Sequence, residues 1–523
     1  MTTMAILMVL VLATVAMVVL GEKAHLPWPA LLTILTGCFV FFPQTPDLRI
    51  PPDLILPIFL PPLLWALARR TSWGVIRDQW VTILSLSILL VVATTFAVGA
   101  VAHYMLPGLS IAGAVLVGAA IAPPDPVAVD AVAERAGLPR RILATLQTEG
   151  LFNDAASIVA FHIAFLVYLR GAEYTPREAV GEFLYSAVIA AVIGFIMAGV
   201  VTWLIDRVND VTARNVLLWV VPFATYILSE EAGASGVIAV VIAAIQMNSQ
   251  ASIEAEDRLA SESFWETVEM MFTGVAFGLI GLSVNTGIRE IGPDLWYSVI
   301  VGVALSVTAF AVRFVWMSLF GMWNVRSGKR AVAPQNFKEV FLMTWSGMRG
   351  LVTLALVLSV PSVFVFYHQL VVIALTVLML TMVIPGLLLP LVMRGIRIGQ
   401  GVQDHEDAMR DVVAQRAQKA ALRALDKHTD ELDETSEDAL RHWIESRLGA
   451  PDNPFAMGPH EKRSEADEVR RTSYIVRREA IEAAQRELLD ARKERGMNPQ
   501  IVDEILAEVD RLAVIASKYA PMR

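Results

Sequence analysis

From residue 3 to residue 394 the chain is a succession of apolar stretches, each about as long as a lipid bilayer is thick. A hydrocarbon core about 30 Å across takes about 20 residues of helix to cross. On that measure thirteen spans are read, at 3–20, 27–43, 51–68, 80–103, 109–132, 142–169, 179–205, 214–229, 233–249, 264–286, 295–321, 339–360 and 367–394. Within lipid the backbone has no water to bond, so such spans must be helical. The expected fold class is an all-α polytopic membrane protein. The first span, near Ala5 to Leu20, lacks a basic leader and an obvious cleavage site, and is expected to be a retained helix.

Past about residue 395 the composition changes abruptly, which divides the chain into a membrane domain, 1–398, and a charged tail, 399–523. The tail mixes acidic and basic residues, so the formal net charge of -9 does not point to nucleic acid as a partner. Helical spacing runs over His405 to Leu448 and over Ser464 to Lys493, with a proline-marked loop from Gly449 to Gly458 between them. Asn498-Pro499 reads as a helix start. The tail has no phosphate-binding glycine loop, zinc spacing or nucleotide fingerprint, and the single cysteine, Cys38, cannot build a disulfide framework. No cofactor is expected. The tail is expected to be a small helical cytoplasmic domain that regulates or stabilises a dimer, against the plainer reading of a loosely ordered extension.

Lys and Arg gather on the cytoplasmic side of membrane proteins. With the tail placed inside, the inner loops hold Lys23, Arg69, Arg70, Arg77, Arg135, Arg140, Arg141, Arg207, Arg214, Arg258, Arg326, Lys329, Arg330, Lys338, Arg394 and Arg397. The outer side holds only Arg49, Arg170, Arg177 and Arg289. That asymmetry supports thirteen crossings with the N-terminus outside. The lack of eukaryotic targeting features points to a bacterial cytoplasmic membrane.

Spans 1–6 and 8–13 then form two halves of inverted topology, with span 7 as connector. The fifth span of the first half carries Ala122-Pro123-Pro124-Asp125-Pro126, and that of the second carries Ser346-Gly347-Met348-Arg349-Gly350. Three prolines in four residues cannot continue a helix, and two glycines around an arginine favour an unwound point. Paired discontinuous helices mark an ion site at the membrane midplane.

Charges within the spans cost roughly 2.5–3.5 kcal/mol each on insertion scales, yet the chain places Asp125, Glu149, Asp154, Arg313 and Arg349 there. Glu149 and Asn153 are four apart and stack on one helical face, with Asp154 about 100° further round. A guanidinium stays charged and must be paired. Glu149 is the expected partner of Arg349, with Asn153 bridging. Arg313 is a second candidate, or pairs with Asp125 or another carboxylate. Both arginines are expected to hold helices and not to bind a cation. For Asp154, burial raises a carboxyl pKa and a nearby cation lowers it. A carboxylate brought near neutrality lets H⁺ and a metal cation compete for one site, and that competition is the basis of exchange. Na⁺ favours oxygen ligands, which an unwound carbonyl near Pro124 would supply.

At these residues the chain resembles the monovalent cation:proton antiporter family of NhaP and NHE type, over about residues 1–398. The resemblance rests on Pro124-Asp125-Pro126, Glu149 with Phe152-Asn153-Asp154, and Gly347-Met348-Arg349-Gly350, with weaker echoes at Pro222–Tyr226, Ser235–Val237, Phe264–Glu266, Ile280–Leu282 and Arg313. It implies an inverted-repeat fold with two discontinuous crossing helices, a mobile core domain, a dimerisation domain, a homodimer and elevator-like alternating access. It implies that Asp154 carries the ion and the proton with Asn153 as its companion, a single-carboxylate pattern that goes with electroneutral exchange. Asp125 would be an accessory acid acting through water, and Glu149, Asn153 and Arg349 a structural polar cluster. The chain departs from the family's pattern at Gly150, where serine is usual, at Pro124, where threonine is frequent, and at Thr273, where asparagine is frequent. Ser157, one turn below Asp154, or a water is expected to replace the lost hydroxyl. The expected Na⁺ site is thus Asp154, Pro124 and Ser157.

The function expected is Na⁺(Li⁺)/H⁺ antiport in pH and sodium homeostasis, with K⁺/H⁺ exchange as the close variant. A cation channel or sensor on the same scaffold is the first rival. The second is an intramembrane aspartyl protease using Asp125 and Asp154, against which the motif order and the inverted repeat argue. His162 is expected to be packed and hydrogen-bonded. Glu230, Glu231 and the acidic residues from Glu254 to Glu269 are read either as cation attractors or as solvated helix ends and loops.

Overall fold

The computed structural model describes residues 2–24, 26–38, 52–126, 129–130, 138–170, 175–208, 210–250, 255–328, 332–360, 364–396, 401–432, 434–448, 467–492, 494, 497 and 499–518. The expected loop from Gly449 to Gly458 and the expected cap Asn498 lie outside the described residues, as do residues 39–43 of the second span.

Among the described residues all regular structure is helical. The order is α1 (Thr2–Ala24), α2 (Trp28–Gly37), α3 (Pro52–Ala68), α4 (Trp73–Ile83), α5 (Leu90–Met105), α6 (Ile111–Ile121), α7 (Arg140–Gly150), α8 (Asn153–Arg170), α9 (Pro176–Ile205), α10 (Val211–Glu231), α11 (Gly236–Gln250), α12 (Ala255–Ile291), α13 (Leu295–Arg326), α14 (Phe337–Trp345), α15 (Leu351–Ser359), α16 (Tyr367–Leu378), α17 (Ile384–Gly395), α18 (Gly401–Leu425), α19 (Glu434–Leu448), α20 (Asp467–Ala491) and α21 (Pro499–Lys518). One π-helical segment, Leu84–Leu89, joins α4 to α5, and another, Met379–Val383, joins α16 to α17.

Six helical segments among the described residues are long and apolar enough to cross a membrane: Ala5–Ala24, Trp73–Met105, Arg141–Leu169, Val180–Ile205, Gly292–Arg326 and Tyr367–Gly395. Four shorter apolar helices accompany them, Trp28–Gly37, Leu54–Ala68, Ile111–Ile121 and Gly236–Ser249. Six is well short of the thirteen spans expected. Part of the difference is that several expected spans are made of pieces: the span at 339–360 is α14 and α15 with an extended stretch between.

The chain forms two compact units. The first comprises Met1–Arg69, Gln79–Met247 and Glu266–Ile398. In it α5 and α6 meet backbone to backbone. A Cβ added at Gly118 would lie 2.0 Å from the Thr95 carbonyl oxygen, and one added at Gly99 would lie 2.7 Å from that of Ala114. Only glycine permits this approach, and it draws α6 into the middle of the unit, where every residue from Leu116 to Ile121 is buried.

The second unit comprises Gly399–Arg523 together with two short stretches, Arg70–Asp78 and Asn248–Trp265. Val413, Ala417, Ala421 and Leu425 recur every fourth residue along α18 and form the apolar stripe of an amphipathic helix. They pack with Ala480, Ala484 and Leu488 of α20 and with Val502, Ile505 and Val509 of α21. The added stretches are held by polar contacts. Asp510, 2% exposed, accepts from Arg258 Nε at 2.7 Å and Nη2 at 2.5 Å, and from Gln485 Nε2 at 2.7 Å. Arg492 Nη1 donates to Asn248 Oδ1 at 3.0 Å, and the Asn248 amide donates to the Thr71 carbonyl at 3.4 Å.

Candidate ion site at two helix breaks

Helix α6 stops at Ile121 because Pro123, Pro124 and Pro126 cannot donate to its ladder. Helix α14 stops at Trp345, and α15 starts only at Leu351. The two breaks touch: the Asp125 N–H donates to the Met348 carbonyl at 2.6 Å.

Each break supplies the charge that the other's helix end needs. The Asp125 Oδ2 accepts from the N–H of Leu351, first residue of α15, at 3.1 Å. A carboxylate is favourable there because helix N-termini carry unpaired N–H groups and partial positive charge. Gly350 makes the room, since a Cβ at that position would fall 1.5 Å from the same oxygen. In return Arg349 Nε donates to the carbonyl of Ile121, last residue of α6, at 3.3 Å, and its Nη1 donates to the Gly347 carbonyl. A cation at a helix C-terminus is the matching arrangement.

Glu149 does not take the partner expected of it. Its carboxylate receives both nitrogens of Arg313, Nη1 to Oε1 at 2.5 Å and Nη2 to Oε2 at 2.8 Å, a two-pronged charge-assisted pair. Arg313 Nε donates to the Met343 carbonyl at 3.0 Å. The reason is that Arg349 spends its donors on helix-end carbonyls, while α13 carries Arg313 to Glu149. Asn153 does not bridge either: its Nδ2 donates to the Pro124 carbonyl at 2.6 Å. A turn at Leu151–Phe152 separates α7 from α8.

Asp154 lies in the first turn of α8 and is 3% exposed. Its Oδ1 and the Oδ1 of Asn153 are buried without a protein hydrogen-bond partner. Ser157 is fully buried and donates to the Ala119 carbonyl at 2.6 Å, which ties α8 to α6. A small cavity opens at the break, lined by Pro124, Asp125, Glu149, Gly150, Arg313 and Ser346 among others. A Cβ at Gly150 would lie 2.3 Å from Pro126 Cβ, so the proline ring fills the space a serine there would need.

Some contributors went unread in the sequence. Ser87, in the first π segment, donates its hydroxyl to the Glu149 carbonyl at 2.7 Å. Glu339, 1% exposed, pairs with Arg141 and accepts from the Gln335 N–H at 2.8 Å, while Asn336 caps the Glu339 N–H at 3.0 Å. The Asn-x-x-Glu spacing at 336–339 is a helix-start signature that would have exposed this group. Away from the site, Glu230 accepts from the Gly236 N–H at 2.9 Å and caps α11. His162, expected to be packed, is exposed on the surface of the chain. Thr273 is buried with its hydroxyl unpartnered.

Apolar helices interrupted by paired charges in their middle are the layout of a membrane ion transporter. The sodium/hydrogen exchanger transmembrane family matches residues 4–395, and the chain belongs to that family. It is 27% identical to the uncharacterized Na(+)/H(+) exchanger YjcE of Escherichia coli K12, with 98% of each chain covered. It is 30% identical to a sodium, potassium, lithium and rubidium/H(+) antiporter of Bacillus pumilus, over 74% of this chain and 61% of that one. The solved structure of the sodium proton antiporter MjNhaP1 from Methanocaldococcus jannaschii matches with a TM-score of 0.55 at 18% identity, covering 75% of this chain and 98% of that one. The likeness to MjNhaP1 is one of fold.

Proposed function

We propose that this protein exchanges Na⁺ or Li⁺ for H⁺, one for one, by alternating access, with both ions competing for Asp154. The observation that carries this reading is the buried Asp154 Oδ1 that no protein donor satisfies. An ionised carboxylate left in that condition is costly, and either a proton or a metal cation relieves the cost. The surrounding charges support a single-charge cargo. Glu149 is cancelled by Arg313, and Asp125 and Arg349 are opposite charges holding opposite helix ends. Asp154 remains as the unbalanced charge of the five, and one bound H⁺ or one monovalent cation neutralises the site. The carbonyl of Pro124 and the hydroxyl of Ser157 are the nearby oxygens we assign to the cation beside Asp154 and Asn153. We further assign the chain to the cytoplasmic membrane with thirteen crossings, inverted repeats, an outside N-terminus and a homodimeric assembly. The broader cation range in the name of the Bacillus pumilus relative favours K⁺ as a second cargo.

The test is purified protein in liposomes with an internal pH dye. Addition of Na⁺, Li⁺ or K⁺ is expected to change the internal pH for the wild type and to leave it unchanged for Asp154→Asn. Exchange retained by the variant would remove Asp154 from this role.

A further inference from the structure

The π segment Leu84–Leu89 takes in one residue more per turn than an α-helix: the Leu90 N–H bonds to the Ser85 carbonyl, five residues back. Such segments are rare, and they turn side chains to directions an unbroken helix would not give them. The two serines of this one use that freedom. Thr94, Ser306, Ser318 and Thr376 each return the hydroxyl to a carbonyl four residues back in the same helix, the ordinary local bond of these residue types. Thr381 of the second π segment does the same with the Val377 carbonyl. Ser87, fully buried, reaches out of its own helix to the Glu149 carbonyl at 2.7 Å. Ser85 accepts from Trp316 Nε1 at 3.1 Å.

These bonds close a ring. Glu149 lies in the last turn of α7, where helix carbonyls lack partners within the helix, and Ser87 supplies one. The Glu149 carboxylate holds Arg313. Trp316 follows Arg313 by three residues on α13, on the neighbouring part of the helix surface, and leads back to Ser85. The start of α8 leaves this ring directly: three residues separate Glu149 from Asn153, and Asp154 comes next. On its other side the same turn of helix is tied to the first break, through Asn153 on the Pro124 carbonyl and Ser157 on the Ala119 carbonyl.

We propose that the π segment braces the ion site: Ser87 and Ser85 close the ring around the Glu149–Arg313 pair, and the closed ring fixes the start of α8 and the position of the Asp154 carboxylate. The inference rests on the exchange function proposed above. Both serines are positioning residues. They hold a backbone carbonyl and an indole, and take neither the cation nor the proton. A binding site needs its ligands placed to within about 0.5 Å, so a loosened ring shows in cation affinity.

The experiment is the liposome assay on Ser87→Ala and Trp316→Phe, singly and together. Ala removes the hydroxyl, Phe removes the indole N–H, and neither adds bulk. Loss of one hydrogen bond is expected to raise the half-saturating Na⁺ concentration about threefold to tenfold in each single variant, with the maximal rate near wild type. A ring already open loses little by a second cut. The double variant should therefore shift half-saturation no further than the larger single shift, whereas independent bonds would multiply their effects. Wild-type half-saturation in either single variant would overturn the proposal, as would multiplied shifts in the double variant. A fall in maximal rate that exceeds the shift in half-saturation would also overturn it. The exchange reading stands or falls separately: it fails if the wild type shows no cation-driven pH change, or if Asp154→Asn keeps one.

Discussion

Glu149→Gln isolates the contribution of the most deeply placed ion pair. Glu149 and Arg313 are each 1% exposed, and their two-pronged contact is supplemented by the bond from Arg313 Nε to the Met343 carbonyl. The amide keeps the shape of the side chain and one acceptor, but leaves a guanidinium uncompensated. Breaking a buried pair in this way costs about 3–5 kcal/mol, because the orphaned charge has lost its solvation as well as its partner. At the roughly 2 °C per kcal/mol of larger soluble domains, that is a fall of about 6–10 °C in Tm. The assay is melting of the purified protein in detergent, followed by the monodisperse fraction on size exclusion. The double variant Glu149→Leu with Arg313→Met removes both charges together and should recover at least half of the loss. A wild-type Tm for Glu149→Gln would refute the reasoning. So would a double variant whose loss equals the sum of the two single losses, since coupling between the partners is the whole argument.

Other substitutions probe the neighbouring contacts. Gly150→Ala and Gly150→Ser should destabilise about equally, by about 1–3 kcal/mol, because both meet Pro126; a stable Ser variant with tighter cation binding would contradict the steric account. Arg349→Ala should reduce purified yield and Tm at least as much as cation affinity, and a well-folded variant that loses only cation binding would contradict its structural role. Asp510→Asn leaves Arg258 without its carboxylate and should speed tryptic cleavage between 399 and 523 in the full chain, compared with wild type under the same digest. In the tail Arg416 holds the Glu494 carboxyl below its ordinary range, chiefly by hydrogen bonding. The stabilisation from that pair is therefore complete above the unfolded value of about 4.3 and lost as pH falls through the lower folded value. Hydrogen exchange of α18, corrected for intrinsic rate, should be level between pH 6 and 5 and rise below about pH 4; a rise already between pH 6 and 5 would count against it.

The breaks were legible because proline and glycine act locally. Pro123, Pro124 and Pro126 crowd three prolines into four residues, and so the stop at Ile121 could be read from the sequence, although Pro57, Pro61 and Pro62 sit inside α3 without ending it. Which arginine meets Glu149 was not legible. Arg313 and Arg349 are equally charged, and only the packing of α13 beside α14, together with the demand of the Ile121 carbonyl, decides between them. The cap that Asp125 provides on Leu351 joins residues 226 positions apart, a relation no periodicity encodes. For the same reason the stretches Arg70–Asp78 and Asn248–Trp265 read as loops of the apolar region, although they belong with the tail. Contacts such as Arg258 with Asp510 join them to it, and hydropathy does not register these.

The interlock of Gly99 and Gly118 with the facing backbones limits how a site of this kind can travel. Where two rods touch main chain to main chain, no flexible group lies between them to absorb a slide, and a displacement of even an ångström drives carbonyl oxygen into α-carbon. Helix α6, which ends at the ion site, is geared to α5 at two teeth one helical turn apart. If the proposed exchange carries its cargo across by moving α6, α5 must move with it as a single shuttle.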